Sequence, residues 1–252
     1  MSLNLFRSKP VSIPTRFTWR SAAVTATGNV RKHNEDAVLE RADAGLWAVA
    51  DGMGGHNAGD VASSAIVAAL SDMPRHARPS QLLDEVEDRL YTVNQQLHSA
   101  SMRGGTSGST VAVLLALERH VLSIWAGDSR IYRRRDEQLT QLTRDHSEVQ
   151  EMLDEGLISS ASAARRESSN VITRAVGGAD ELLLDVEVTE LRDGDCYLLC
   201  SDGLYRELAD KVLLQTLGRK DPDSAVALLL SQALSGECKD NVSAIVVRFS
   251  AS

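Results

Sequence analysis

Carboxylate residues stand beside short apolar runs at five points of the sequence, and carboxylates can supply oxygen ligands to a divalent metal ion. They occur in NED (Glu35 and Asp36), VADG (Asp51), IWAGDS (Asp128), LLCSDG (Asp202) and ECKDN (Asp240). In the last four stretches we expect an apolar strand, then the aspartate, then a turn. One such aspartate is more often a simple turn residue, but several at one edge of a folded sheet would repel one another strongly. Because cations would relieve that repulsion, the pattern favours a metal centre.

The stretch VADGMGGHNAGDVAS, residues 49–63, contains four glycines and raises the alternative of a nucleotide-binding loop. A dinucleotide fingerprint that starts at Gly52 would need glycine where Asn57 stands. A P-loop would need lysine where Asp60 stands, and an aspartate there would repel phosphate. The carboxylate of Asp51 and the carbonyl of Gly52 are instead hard oxygen ligands, which suit Mg²⁺ or Mn²⁺.

Arg31 lies four residues before Glu35, in the stretch RKHNED. A guanidinium group can bind two oxygens of a phosphate at once. Arg31 is therefore a candidate phosphate-binding residue beside the metals, with an ordinary surface arginine as the alternative.

Length and charge narrow the class of protein. A chain of 252 residues is long enough for one domain with a sizeable core. The net charge is −8, and six of the 27 cations precede the first acidic residue, so the rest of the chain is more acidic than the whole. This balance argues against nucleic acid as a partner.

We find no apolar run long enough to cross a membrane and no secretory signal, so we expect a cytoplasmic protein. The three cysteines have no CxxC spacing and are expected to be buried in a reducing compartment.

The predicted elements fall into strands that cluster between two sets of helices. Strands are expected at FTWRSAAVTAT, AVLERA, LWAVAD, STVAVLLAL, HVLSIWAGD, RIYRRR, LLLDVEVTEL, DCYLLCSD and NVSAIVVRF. Helices are expected at ASSAIVAALSDM, QLLDEVEDRLYTVNQQLHSASM, SEVQEMLDEG and ALLLSQAL. Short turns between the strands favour antiparallel pairing, and hence an α+β layered sandwich rather than a doubly wound parallel sheet. We expect residues 1–15 to be a loose leader and residues 16–252 to form a single domain.

Eight stretches of the sequence, taken in order, resemble the metal-dependent Ser/Thr protein phosphatases of the PP2C type in their compact bacterial form. They are RKHNEDA, VADGMGGHNAGDVAS, GGTSGSTVAVLL, WAGDSRIY, LTRDHS, ITRAVGG, LLCSDGLY and KDNVSAIVV, and the resemblance covers roughly residues 18–249. It implies a four-layer α-β-β-α sandwich of two mainly antiparallel sheets flanked by helices, with residues 16–252 as the catalytic domain.

The resemblance also implies a role for each candidate residue. Asp51 matches an aspartate that bridges two Mn²⁺ or Mg²⁺ ions, and the carbonyl of Gly52 matches a ligand of the first ion. Asp202 and Asp240 match ligands of the second ion. The remaining matches are Glu35 (bound to the metals directly or through water), Asp36 (a partner of the ligands), Asp128 (which with Asp202 holds a third, weaker ion) and Arg31 (the phosphate-binding arginine).

In this family a hydroxide that bridges the two ions attacks phosphorus directly, and no phosphoenzyme forms. Animal relatives have histidine where Met53 stands, so the general acid is left open between His56, His33 and a water on the third ion, which we favour. The segment RRESSN corresponds to a flap over the active-site mouth and is expected to be flexible. The implied substrates are phosphorylated proteins, with a partner bacterial Ser/Thr kinase and its targets, and the implied state is a monomer without nucleic-acid or membrane partners.

Two alternatives remain open. The stretch CSDGLYR, residues 200–206, has the C-x5-R spacing of cysteine-dependent phosphatases. Asp202 within it would oppose both a thiolate and a phosphate. A non-catalytic binding module on the same fold is the other alternative, although such members typically lack the metal-binding aspartates.

Overall fold

The computed structural model of the protein describes residues 16–54, 58–73, 79–101, 107–159, 162 and 171–252. The expected leader (1–15), the RRESSN segment (165–170) and His56 lie outside these residues.

Eleven strands are found in the described part of the chain. They are β1 Phe17–Ala26, β2 Asp36–Arg41, β3 Leu46–Gly54, β4 Ser107–Ser109, β5 Val111–Leu117, β6 His120–Ala126, β7 Arg130–Arg135, β8 Gln138–Gln141, β9 Asp185–Glu190, β10 Cys196–Cys200 and β11 Val242–Ala251. The helices are α1 Ala58–Ser71, α2 Pro79–Ser101, α3 Glu148–Asp154, α4 Asp202–Tyr205, α5 Asp210–Leu217 and α6 Pro222–Leu234, with a short 3-10 helix at Ala42–Ala44.

The strands form two sheets in which neighbouring strands are antiparallel. The first sheet has the order β1-β11-β10-β7-β8. The second has the order β2-β3-β5-β6-β9, and β4 pairs with β3 outside that order. The expected antiparallel pairing is confirmed.

Side chains on alternate faces of the central strands divide the core into three apolar layers. In β3, Trp47 and Val49 face the first sheet, whereas Ala48 and Ala50 pack with α1 and α2. In β10, Tyr197 and Leu199 face the second sheet, and the intervening residues pack with α5 and α6. Because side chains alternate with a period of two, a strand buried on both faces must be apolar throughout, as VAVLLAL in β5 is. The four-layer α-β-β-α sandwich is thus confirmed.

Two expectations about the carboxylates were wrong in detail. β3 does not end at Asp51 but continues to Gly54, because it pairs with β4 through Gly52 and Ser109. Asp240 does not follow a strand: it lies between the end of α6 at Leu234 and the start of β11 at Val242. It still reaches the same edge, since the start of an antiparallel strand lies beside the end of its neighbour.

The sequence patterns missed four short strands or helices, which are β4, β8, α4 and α5, and also the 3-10 helix at Ala42–Ala44. The long helix α2 is confirmed with similar bounds, and it carries five charged residues (Asp84, Glu85, Glu87, Asp88 and Arg89). Among the helices of the described ranges, none combines the length and the apolar character needed to cross a membrane.

Candidate functional site

Asp51 and Asp36 lie directly opposite each other on β3 and β2. The backbone of Asp51 is held by the next strand segment: its carbonyl accepts from the N–H of Thr110 at 2.9 Å and from the hydroxyl of Ser109 at 3.0 Å. Its own N–H donates to Oγ1 of Thr110 at 3.1 Å. The backbone that carries the Asp51 carboxylate is therefore fixed at both of its polar groups.

The first sheet brings two further aspartates to this edge. Asp202 is the first residue of α4, just after β10, and Asp240 stands just before β11. β10 and β11 pair at Cys200 and Ala244, which places the end of one strand beside the start of the other. The two sheets thus contribute aspartates to one place from different parts of the chain.

The carboxylates lie close enough to influence each other's ionisation. The pKa of Asp36 is raised to about 7: burial is the largest cause, the charges of Asp202 and Asp240 act in the same direction, and the hydrogen bond from Ser201 opposes them. Burial is also the largest cause that raises the pKa of Asp51 well above its usual range. The neighbouring charges raise it as well, and they are those of Asp36, Asp202, Asp128 and Asp240. Ionising such a group without a counter-charge is unfavourable, so the site would bind a divalent cation as its carboxylates lose their protons.

Asp128 belongs to the same cluster. It follows β6, it is buried, and burial together with the charge of Asp202 raises its pKa to about 7. The hydroxyl of Tyr205 donates to the carbonyl of Asp128 at 3.0 Å.

Glu35 is held beside the glycines of residues 49–63 by close backbone contacts. Its carbonyl accepts from the N–H of Gly52 at 3.1 Å. A Cβ on Gly52 would lie 2.1 Å from the carbonyl oxygen of Gly59, and a Cβ on Gly59 would lie 2.7 Å from Oε1 of Glu35. Glycine at both positions therefore allows β3, the start of α1 and the Glu35 carboxylate to approach one another.

Arginines neutralise three of the aspartates. Nη2 of Arg31 bonds to Oδ2 of Asp240 at 2.8 Å. Nη1 of Arg206 lies 2.9 Å from Oδ2 of Asp202, and Nη2 of the same arginine lies 3.5 Å from Oδ2 of Asp128. In the described part of the chain, no three His, Cys, Asp or Glu side chains are already arranged to hold an ion.

The donors nevertheless fit a divalent metal. Oδ1 of Asp36 and Oδ1 of Asp202 are buried and have no hydrogen-bond partner. Unpartnered carboxylate oxygens are costly to bury, and they are the ligands that Mg²⁺ and Mn²⁺ prefer. The cluster therefore has both unused ligand atoms and an excess of negative charge.

Three residues that position the site were not predicted from the sequence. Asn241 accepts from the N–H of Glu35 at 2.8 Å and donates to the carbonyls of Thr27 and His33, each at 2.9 Å. Ser201 bonds to Asp36, and Arg206 bonds to two aspartates. The available signal was that Ser201 and Asn241 flank predicted aspartates at the ends of apolar strands.

The candidates for other chemistry are less well placed. Cys200 is fully buried in the apolar layer beside α5 and α6, and burial raises the pKa of its thiol, which is the opposite of what a nucleophile needs. Arg206, the arginine of the C-x5-R spacing, is bonded to aspartates. The side chain of His33 is exposed, and Met53 lies in β3.

Comparison with known proteins agrees with this arrangement. The family model described as protein phosphatase 2C matches residues 29–225. The serine/threonine protein phosphatase PstP of Mycobacterium tuberculosis is 37% identical over 231 residues, which are 90% of this chain but 44% of that protein. The chain therefore spans less than half the length of that relative.

Two solved structures share the fold over almost their whole length. PppA, described as a key regulatory component of T6SS in Pseudomonas aeruginosa, has a TM-score of 0.86 and 40% identity, with 92% of this chain and 98% of that chain covered. The catalytic domain of PstP in complex with two manganese ions has a TM-score of 0.83 and 34% identity, with 93% and 99% covered. On the family match, these similarities and the four-layer fold, the chain belongs to the protein phosphatase 2C family.

Proposed function

We propose that this protein is a metal-dependent serine/threonine protein phosphatase that hydrolyses phosphoserine and phosphothreonine in proteins. The observation that carries the proposal is the convergence of Asp36, Asp51, Asp202 and Asp240 from both sheets, with unpartnered carboxylate oxygens among them. The relative whose structure is described with two manganese ions supports the choice of metal.

In the proposed site each residue has a distinct task. Asp51 would bridge two ions, with the carbonyl of Gly52 and Glu35 on the side of the first ion. Asp202 and Asp240 would bind the second ion, and Asp36 would support the ligands from β2. When bound, two Mn²⁺ or Mg²⁺ ions would activate a water for direct attack on phosphorus and would stabilise charge on the phosphoryl oxygens.

Arg31 would orient the phosphate. Its side chain is about half exposed and its guanidinium already bonds to a carboxylate oxygen of Asp240, so it lies at the rim of the acidic cluster. A planar guanidinium can bind two phosphoryl oxygens and so hold the phosphorus in line for attack.

The proposal extends to the context of the enzyme. We propose residues 16–252 as the catalytic domain, phosphoproteins as substrates, and reversal of a bacterial Ser/Thr kinase as the role in signal transduction, in a monomeric cytoplasmic protein. The relatives described as serine/threonine protein phosphatases support the substrate class. Asp128 and Asp202 are the residues that a third, weaker ion would use.

The test is hydrolysis of p-nitrophenyl phosphate and of a phosphothreonine peptide by the full chain. We expect activity with Mn²⁺, loss of activity with EDTA, and no effect of iodoacetamide, because Cys200 is buried. Asp202→Asn should lower turnover at least 100-fold without unfolding the protein, since it keeps the shape of the side chain but weakens a metal ligand.

Two outcomes would contradict the proposal. Inactivation by iodoacetamide but not by EDTA would indicate a cysteine enzyme. A correctly folded, Mn²⁺-loaded protein that hydrolyses neither substrate would indicate a binding module.

A further inference from the structure

Arg206 lies between two buried carboxylates of the candidate site. Its guanidinium approaches Oδ2 of Asp202 at 2.9 Å with one nitrogen and Oδ2 of Asp128 at 3.5 Å with the other. The side chains of Asp128 and Asp202 are only 3% and 12% exposed, and that of Arg206 is 31% exposed. An ion pair shielded in this way is screened far less by water and salt than a surface pair.

The position of Arg206 is built into the fold. It is the fourth residue after Asp202, and its backbone N–H donates to the Asp202 carbonyl at 3.0 Å. One helical turn therefore directs both side chains to the same face.

Tyr205, the residue before Arg206, fixes the position of the same helical turn. The hydroxyl of Tyr205 donates to the carbonyl of Asp128, and the Arg130 guanidinium stacks on the Tyr205 ring, 3.7 Å from its centre. Arg130 is itself held by two nitrogens on the carboxylate of Asp145, at 2.9 and 2.7 Å. Asp128 and α4 are thus fixed relative to each other, with Arg206 between the two carboxylates.

The charge of Arg206 acts on both carboxylates. It is the main influence that lowers the pKa of Asp202 and of Asp128, against burial, which raises both. The same two residues are those that a third metal ion would use in the proposed phosphatase.

We propose that Arg206 is a built-in cation that takes the place of a third metal ion at Asp128 and Asp202. This inference rests on the proposed function. A guanidinium between the two carboxylates supplies positive charge without depending on the metal concentration, and it competes with an ion for Oδ2 of both residues.

The inference has a consequence for the proton needed by the leaving group. An arginine in this position does not lower the pKa of a water molecule as a bound metal ion does. A water on a third ion, which we favoured from the sequence, is then not available as the general acid.

The test counts bound Mn²⁺ by equilibrium dialysis of the full chain against MnCl₂. Wild type is expected to bind two ions, whereas Arg206→Gln should bind a third at least ten times more tightly than wild type does. Adding Asp128→Asn to Arg206→Gln should remove the third ion again. Arg119→Gln is the matched control, because it removes the same charge from an exposed pair with Glu190 and should leave the count at two.

A second variant keeps the test decisive if Arg206→Gln does not fold. Arg206→Lys retains the charge but cannot reach both carboxylates with separate nitrogens, so its third-ion affinity should lie between those of wild type and Arg206→Gln.

The possible results separate the two proposals. Three ions in wild type, or the same binding curve in wild type and the Arg206 variants, would overturn the role of Arg206 alone. Fewer than two ions in wild type would refute the proposed metal centre, and the role of Arg206 with it.

Discussion

The hydroxyl of Ser201 donates a 2.7 Å hydrogen bond to Oδ2 of Asp36, and this bond joins the two sheets at the edge where the carboxylates meet. Ser201 also accepts from the N–H of Ser243 at 3.0 Å, which fixes its position at the junction of β10 and β11. The bond stabilises the charged form of Asp36, whose pKa burial raises to about 7. Ser201 thus helps to keep a buried carboxylate available at neutral pH.

Ser201→Ala should destabilise the metal-free protein by about 1–3 kcal/mol at pH 8, because a buried carboxylate loses a hydrogen-bond donor. A group whose pKa is raised by folding stabilises the protein at low pH and loses that contribution as the pH rises through its folded pKa. Below its folded pKa, Asp36 takes up a proton, and a hydrogen bond that favours the charged form then contributes less. The effect of Ser201→Ala should therefore be smaller at pH 5.5 than at pH 8. Urea unfolding at both values measures it.

The control for this prediction is Ser21→Ala, which removes an exposed hydrogen bond to Glu40. It should change the stability by less than about 0.5 kcal/mol at either pH. An equal effect of both variants would show that the Asp36 bond has no special role.

Gly52→Ala should destabilise the protein by about 3 kcal/mol or prevent folding, since the new Cβ would lie 2.1 Å from the Gly59 carbonyl oxygen and 2.6 Å from that of Glu35. Both atoms belong to the backbone and cannot move aside without distorting the site. Gly156→Ala is a suitable comparison, because a Cβ there meets nothing within 4 Å and only the positive φ of 70° is unfavourable, which costs roughly 1–2 kcal/mol. Unfolding curves that rank the two variants in the opposite order would argue against this packing.

Asn241→Ala should weaken both stability and substrate binding. The variant loses the bonds to Glu35, Thr27 and His33, which we expect to cost roughly 2–4 kcal/mol. These bonds hold the segment that carries Arg31, so KM for a phosphopeptide should rise together with the loss in stability. Steady-state kinetics at a temperature where the variant is folded gives the KM value, and an unchanged KM would mean that Arg31 is positioned by other contacts.

His146 should make stability depend on pH in the mildly acidic range. Its Nδ1 accepts from the N–H of Gly127 at 3.1 Å and so must be unprotonated, while Nε2 faces Asp185 at 3.2 Å. Burial lowers the pKa of His146 below its usual value. The unfolded chain therefore takes up a proton at higher pH than the folded one, and stability falls as the pH drops below about 6.5.

His146→Gln provides the comparison, because glutamine does not titrate. The loss of stability of wild type between pH 7.5 and pH 5.5 should exceed that of His146→Gln. Parallel pH profiles for the two proteins would exclude His146 as the titrating group.

The layers of the fold could be predicted from the sequence because the central strands of both sheets are buried on both faces. Apolar runs such as VAVLLAL then mark strands directly, and helical periodicity marks α2. The polar edge strand β8 and the single turn α4 have too few residues for a periodic pattern, so they were missed.

The carboxylates of the site were likewise visible as residues beside apolar runs, but their partners were not. Arg206 and Asn241 matter because the fold brings them to Asp128 and Glu35, 78 and 206 residues away in the chain. These two distant pairings have no sequence spacing that indicates them. Asp240 was assigned to the end of a strand for the same reason, since the sequence does not show which loop reaches the edge of which sheet.

The pairing of Arg31 with Asp240 implies an order of events in the proposed catalytic cycle. Oδ1 of Asp240 accepts from the N–H of Asn241 at 2.9 Å, and Oδ2 is taken by Arg31 at 2.8 Å. In the proposed site, an ion bound through Oδ2 of Asp240 would weaken the bond to Arg31 and so favour release of the guanidinium. If Arg31 binds phosphate as proposed, the metal-free protein should bind phosphate more weakly than the protein loaded with Mn²⁺, because its guanidinium is paired with Asp240.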